Sequence, residues 1–176
     1  MSKDPKVILE ILSKNKNTVD DLYRYLYIPE FYTLAHNKFN LLKNFLKDSS
    51  IEKMIQSLKD RSYIPYKYLT KNSSEDILIQ EVIVMILEAL YESHFLECSH
   101  AFRINKSCHT TLKYIQTKFT GTKWLIDINI KGCFEHINHS ILIKILSKRI
   151  KEQKFLNLIN KFLKAEYLNK WEYNKT

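Results

Sequence analysis

Hydrophobic residues recur along this chain mainly at helical spacing. Asp4-Pro5 reads as an N-cap and first helical position, with Val7, Ile8, Ile11 and Leu12 on one face, which predicts a helix to about Lys14. Thr18 with Asp21 has the form of a capping box ahead of Leu22 and Leu26, predicting a second, short helix. Pro29 ends that helix and opens a third through Phe31, Leu34 and Ala35. Ser49 with Glu52 is another capping box, and Ile51, Met54, Ile55 and Leu58 carry the helical period to about Asp60. The aromatic, proline-containing run YIPYKYL at 63–69 reads as an edge strand or extended segment. Ser73-Ser74-Glu75-Asp76 then starts a helix with its acids on the positive end of the dipole. From Ile77 to Phe95 that helix is apolar around much of its circumference, so it should be well buried.

The C-terminal half changes period once. Residues 98–106 are irregular, and Ser107 begins a helix with Leu112, Ile115 and Phe119 on one face. After Gly121, the residues Trp124, Ile126, Ile128 and Ile130 alternate with Leu125, Asp127, Asn129 and Lys131. That period of two predicts a strand with one apolar and one polar face. Two further helices are expected at about 139–150 and 152–165. One strand cannot make a sheet, so the pattern predicts part of a domain whose other strands lie elsewhere.

Composition narrows this picture. Only 2 of 176 residues are glycine. A dinucleotide fingerprint needs three glycines in one turn and a phosphate-cradling P-loop needs two, so neither is available here. The chain carries 28 Lys+Arg against 19 Asp+Glu, and the charge is segregated. Residues 75–97 hold 6 acids and no Lys or Arg, whereas 141–176 hold 9 basic residues and 3 acids. A basic C-terminal block beside an acidic helix points to a polyanion surface, with Lys144, Lys148, Arg149, Lys151 and Lys154 as its expected contributors. Heavy use of Lys, Asn, Ile and Tyr is that of an AT-rich genome, which also inflates the lysine count. The expected compartment is the cytoplasm of a low-GC bacterium, a mitochondrion or a chloroplast. Three cysteines without framework spacing favour a reducing environment, and no apolar run approaches the ~20 residues of a membrane span, so no membrane partner is expected.

Three places could carry chemistry. The predicted strand sets Asp127, Asn129 and Lys131 on one face at steps of ~6.6 Å, ahead of Gly132. Two-metal phosphoryl transfer needs several converging carboxylates; Asp127, with Glu135 as a weaker second, is too few. Histidines and cysteines cluster at His94, Cys98, His100, Cys108 and His109. Their spacing does not give the tight ligand pairs of a zinc site, so satisfied polar residues at a helix junction are expected and no metal site is assigned. Arg103, Lys106 and Ser107 precede a helix start; they fit either a phosphate pocket or an ordinary capped helix with an ion pair.

These residues also carry a resemblance. The run SHAFRINKSCHT at 99–110, the motif IKGCF at 130–134, FLKAEY at 162–167 and YNKT at 173–176 together resemble group II intron reverse transcriptases, also called maturases. IQEVIVMILEALYESHF at 79–95 is similar to the helix that precedes those motifs, and LYRYLYIPEFYTLA at 22–35 to the N-terminal segment. The resemblance implies an α+β class by descent: a mostly helical fragment of a right-hand polymerase, with fingers-like residues 1–120 and the beginning of the palm at 121–176. It implies intron RNA as partner, possible contact with a DNA target, and magnesium in the family. It also implies nucleotide-binding roles for Arg103 and Cys133, the latter beside the nucleotide sugar.

Departures from the family pattern bear on activity. A fingers hairpin with an RPLGIP-like turn, expected between 66 and 77, is replaced by KYLTKNSSED. Ala101 and Ile104 stand where the family has glycine and proline. The first metal-binding aspartate falls on Asn129, whose amide lacks the charge to hold a divalent cation, leaving Asp127 a weak substitute. The sequence stops at YNKT, ahead of the PQGG-like segment and the YADD aspartates. The expectation is therefore an intron-RNA binder with no cofactor of its own and no polymerase activity alone. The alternatives are a non-enzymatic interaction module, or one part of a split polymerase completed by a second polypeptide.

Overall fold

The computed structural model describes residues 3–39, 48–65, 74–134 and 136–165. Seven α-helices run in order among them: α1 Pro5–Lys14, α2 Pro29–Phe39, α3 Asp48–Lys59, α4 Ser74–Tyr91, α5 Cys108–Lys118, α6 His139–Ser147 and α7 Gln153–Lys164. Short 3-10 helices occupy Tyr23–Tyr27 and Glu92–His94. The chain divides into two compact units, one of Met1–Leu90 with Asn138–Thr176 and one of Tyr91–Ile137. The chain leaves the first unit after α4 and returns to it at α6.

Helix starts follow their caps. Asp4 accepts a hydrogen bond from the Lys6 amide at 2.9 Å, Pro5 fills the first turn, and α1 buries Ile8 and Leu12. Asn138 caps α6 by accepting from the Ile141 amide at 3.1 Å. Ser107 and Thr110 form a reciprocal capping box on α5. The second element differs from expectation. Leu22, not Thr18, is its N-cap; Asp21 takes a left-handed φ of 65°, and the element is a five-residue 3-10 helix. Asp21 instead pairs with Arg24 at 2.6 Å.

The core lies entirely in the first unit. Leu22, Leu26, Phe31, Tyr32, Leu58, Ile79, Val82, Ile86, Leu90, Ile150 and Phe155 are its most enclosed side chains. The burial expected of α4 is present, but the helix ends at Tyr91 rather than Phe95. α7 contributes Phe155, Leu156, Leu158 and Ile159. A parallel bridge joins Val19 to Ile150: the Val19 amide donates to the Arg149 carbonyl at 2.8 Å and the Lys151 amide to the Val19 carbonyl at 2.9 Å. Glu152 adds a bond from the Tyr23 amide at 2.7 Å.

Tyr63 is the second fastening. Its amide donates to the Ser57 carbonyl at 3.0 Å, its hydroxyl donates to the Asp76 carboxylate, and its carbonyl accepts from Lys161 Nζ at 2.9 Å. Its ring lies 6.0 Å from that of Phe162. One residue thus ties α3, α4 and α7. The rest of the extended segment expected at 63–69 lies outside the described residues beyond Pro65.

The second unit is built differently. Among its described residues none is buried. Leu112 is 64 % exposed, Phe134 76 % and Trp124 87 %. The strand expected over 124–130 is not formed: no described residue offers a ladder partner, and both of its alternating sets face solvent. A strand's N–H and C=O groups need a neighbouring strand, and none is supplied among the described residues. The structure is therefore dominated by helices, with no strand among the described residues.

Burial raises the hydroxyl pKa of Tyr23 to about 12, helped by Tyr27 and Glu152 and opposed by Arg61. Burial likewise raises Tyr32, and burial plus the bond to Asp76 raises Tyr63. In the unfolded chain all three ionise near 10. Their contribution to stability is complete below pH 10 and is lost as pH rises toward 12. Absorbance at 295 nm should show these three tyrosines ionising only together with a cooperative loss of helical circular dichroism. Independent ionisation of all 11 tyrosines near pH 10, with helicity intact, would contradict this core.

Candidate nucleic-acid interface

The acidic stretch found in the sequence is largely consumed by the fold. Asp76 is bound by Tyr63. Glu81, itself buried, meets Lys38 at 2.9 Å, and Lys38 also reaches Glu88 at 3.5 Å. Partial burial alone would lower the Lys38 ammonium's pKa, but Glu81 and Glu88 outweigh it and hold it above its ordinary value. Glu92 takes Arg103.

The basic residues of α6 and α7 are left facing solvent. Lys144 and Lys148, four residues apart, are exposed, as are Lys151 and Lys154. Lys151 Nζ donates to the Ser147 carbonyl at 2.9 Å, placing a cation at the negative end of α6. None of these four lysines pairs with a carboxylate among the described residues. Arg149 is the exception to the expected surface set. It is 8 % exposed, and its guanidinium donates to the Asn15 carbonyl. The bridge at Val19–Ile150 turns it inward, so it holds the fold instead of presenting charge.

Sequence reasoning missed two cations. Arg61, just beyond α3, and Lys161 on α7 line an open groove with Lys154, Asn157, Leu158 and Tyr23. Residues 154, 157, 158 and 161 fall at i, i+3, i+4 and i+7, a spacing that could have revealed Lys161. Arg61 arrives from far along the chain and had no local signal.

In the second unit, Arg103 is part of a hydrogen-bonded corner. Its Nε and Nη2 donate to Glu92 Oε1 at 3.1 and 2.8 Å, and Nη1 donates to the Leu96 and Ser99 carbonyls at 2.8 and 2.7 Å. Phe95 lies under the guanidinium at 5.4 Å. Arg103 thus closes the 92–103 corner as an ion pair. The corner includes a bulky residue, Phe102, at a left-handed φ of 57°.

Asp127, Asn129 and Cys133 are all exposed, and Glu135 lies outside the described residues. Cys98, Cys108 and Cys133 are exposed thiols, and His100 Nδ1 meets the Cys98 carbonyl at 3.0 Å. No group of three or more His, Cys, Asp or Glu side chains is placed to hold a metal ion among the described residues. One carboxylate and one amide do not fit a magnesium pair, which needs several converging carboxylates. No described helix is long and apolar enough to cross a membrane.

No protein-family model matches the chain. Curated relatives do. The group II intron-encoded protein LtrA of Lactococcus lactis subsp. cremoris is 41 % identical over 206 positions, covering 99 % of this chain and 34 % of that protein. An uncharacterized 91 kDa protein in the cob intron of Schizosaccharomyces pombe is 37 % identical, covering 92 % of this chain and 24 % of its own length. Nuclear intron maturase 1, mitochondrial, of Arabidopsis thaliana is 32 % identical over 51 % of this chain and 13 % of its own. The chain thus spans about a third of LtrA. The 206 matched positions exceed this chain's 176 residues, so LtrA carries residues without a counterpart here.

Arg103→Lys keeps the charge but loses the planar fork that serves one carboxylate and two carbonyls. Hydrogen exchange should show the amides of 92–107 opening more easily by roughly 1–3 kcal/mol, with α3 and α7 protection unchanged. Equal protection in the variant would show that the corner does not depend on this ion pair.

Proposed function

The chain belongs to the family of group II intron-encoded proteins and intron maturases, and from that premise we propose that it binds intron RNA through the basic surface of α6 and α7. The observation that carries this reading is the separation of charge. Asp76, Glu81 and Glu88 of α4 are engaged inside the fold, while Lys144, Lys148, Lys154 and Lys161 face solvent with no carboxylate partner among the described residues. Lysines of this kind neutralise phosphates without selecting bases, so recognition of a particular intron rests on its shape. The right-hand polymerase architecture belongs to the same proposal: residues 1–120 as fingers, 121–176 as the start of the palm. A DNA target would use the same polyanion chemistry. The relatives come from a bacterium and from mitochondria, which supports a bacterial or organellar setting.

By itself the chain does not polymerise in this reading. Asn129 replaces the carboxylate expected from the resemblance, and no group of three or more His, Cys, Asp or Glu side chains gathers around Asp127 among the described residues. Arg103 is committed to its corner and Cys133 is merely exposed, so a nucleotide site at these residues needs parts this chain does not assemble.

The exposed run 124–130 favours a second reading of the same segment. Ile126, Ile128 and Ile130 are 82, 79 and 68 % exposed, an apolar alternation of the sort that a sheet covers. In that reading the palm strands that pair with it come from further polypeptide, either in a longer chain or in trans.

Fluorescence anisotropy with intron RNA should give an affinity that falls about 100-fold between 50 and 200 mM salt, the slope for roughly five neutralised phosphates. Salt-independent binding, or none, would refute the RNA reading. Primer extension with magnesium and nucleoside triphosphates should yield no DNA from the isolated chain, and Asn129→Asp should not restore it. Magnesium-dependent synthesis by the isolated chain would overturn that part.

A further inference from the structure

The groove between the end of α3 and one face of α7 has features that the general surface lacks. Three cations from two elements converge on it: Arg61, Lys154 and Lys161. None pairs with a carboxylate among the described residues. The nearby acids are already engaged. Asp60 is held by the Ser62 amide and hydroxyl at 3.0 and 2.6 Å, Asp21 by Arg24 at 2.6 Å, and Glu152 by the Tyr23 amide at 2.7 Å.

Two of the cations are held in place. Lys161 Nζ is anchored on the Tyr63 carbonyl, which leaves two of its three N–H donors available. Arg61 sits at a left-handed φ of 64°, where a glycine would be unstrained. Its amide donates to the Leu58 carbonyl at 3.4 Å, and the Tyr63 amide folds back onto the Ser57 carbonyl at 3.0 Å. Buried Leu158 and Tyr23 line the groove beside these cations. Lys154 occupies the first turn of α7, where the helix dipole disfavours a cation and the first turn contains no acid.

We propose that this groove seats a phosphodiester of the RNA backbone, with Arg61 presenting its fork and Lys154 and Lys161 flanking the same phosphate. The groove is open, so it suits a phosphate in a passing chain rather than an enclosed free anion. This rests on the RNA-binding reading above and adds to it a defined contact point. An anion there also removes the mutual repulsion of the three cations.

The full chain, an Arg61→Gln/Lys154→Gln variant and an Arg61→Gly variant are titrated with a fluorescein-labelled 20-nucleotide single-stranded RNA, with inorganic pyrophosphate as competitor. The double variant should bind about 10-fold more weakly at 100 mM salt, its salt slope shallower by about 0.7, one phosphate contact's worth. Arg61→Gly should melt at a higher temperature, because its backbone strain is relieved, and still bind RNA more weakly. That opposition separates lost contact from lost folding. Pyrophosphate should displace RNA from the parent chain and much less from the double variant. Unchanged affinity and slope in both variants would overturn the groove while leaving RNA binding intact. No RNA binding by the parent chain would overturn both, and pyrophosphate binding without RNA binding would mark a small-anion site instead.

Discussion

The first unit depends on a clasp between residues far apart in sequence. Val19 exchanges two backbone hydrogen bonds with the 149–151 segment, Glu152 receives the Tyr23 amide, and Arg149 reaches the Asn15 carbonyl. Each such bond contributes only about 1 kcal/mol net. Their position matters more than their number. They hold α7 against α1 and the 3-10 helix, and so let Phe155, Leu156 and Ile159 complete the same core as Leu22 and Leu26. Tyr63 acts similarly at the other end of α7.

Charge follows from the same packing. α4 is apolar enough to be buried, yet it carries acids, and a buried acid needs a partner. The chain supplies Tyr63 to Asp76 and Lys38 to Glu81. What remains outside is an excess of lysine on α6 and α7. The electrostatic surface is thus a residue of the folding solution, and three of its cations line the groove beside Arg61.

Much of this was legible in the sequence, and the failures have physical causes. Caps and a 3.6-residue period located all seven α-helices, because those signals are local. Thr18 and Asp21 had the letters of a capping box, but Asp21 went left-handed and paired with Arg24. The alternation at 124–130 was read correctly as a pattern, yet a strand is a property of two segments and the second is missing among the described residues. Arg149 looked like its lysine neighbours; only the long-range bridge turns it inward. Arg61 joins the candidate site for the same kind of reason, through an α3 exit whose geometry no local motif encodes. The resemblance fixed the family, whereas roles carried over to Arg103 depended on contacts that the resemblance could not supply.

The clasp has a consequence for how the chain is made. Residues 91–137 are encoded between the two halves of the first unit, so the ribosome must deliver them before α7 can arrive. The N-terminal helices emerge early with Leu22, Leu26 and Phe31 uncovered, and they wait for partners more than a hundred residues downstream. Contacts between segments so far apart form late, and apolar surface stays exposed meanwhile. Synthesis that pauses within the inserted unit would prolong that wait.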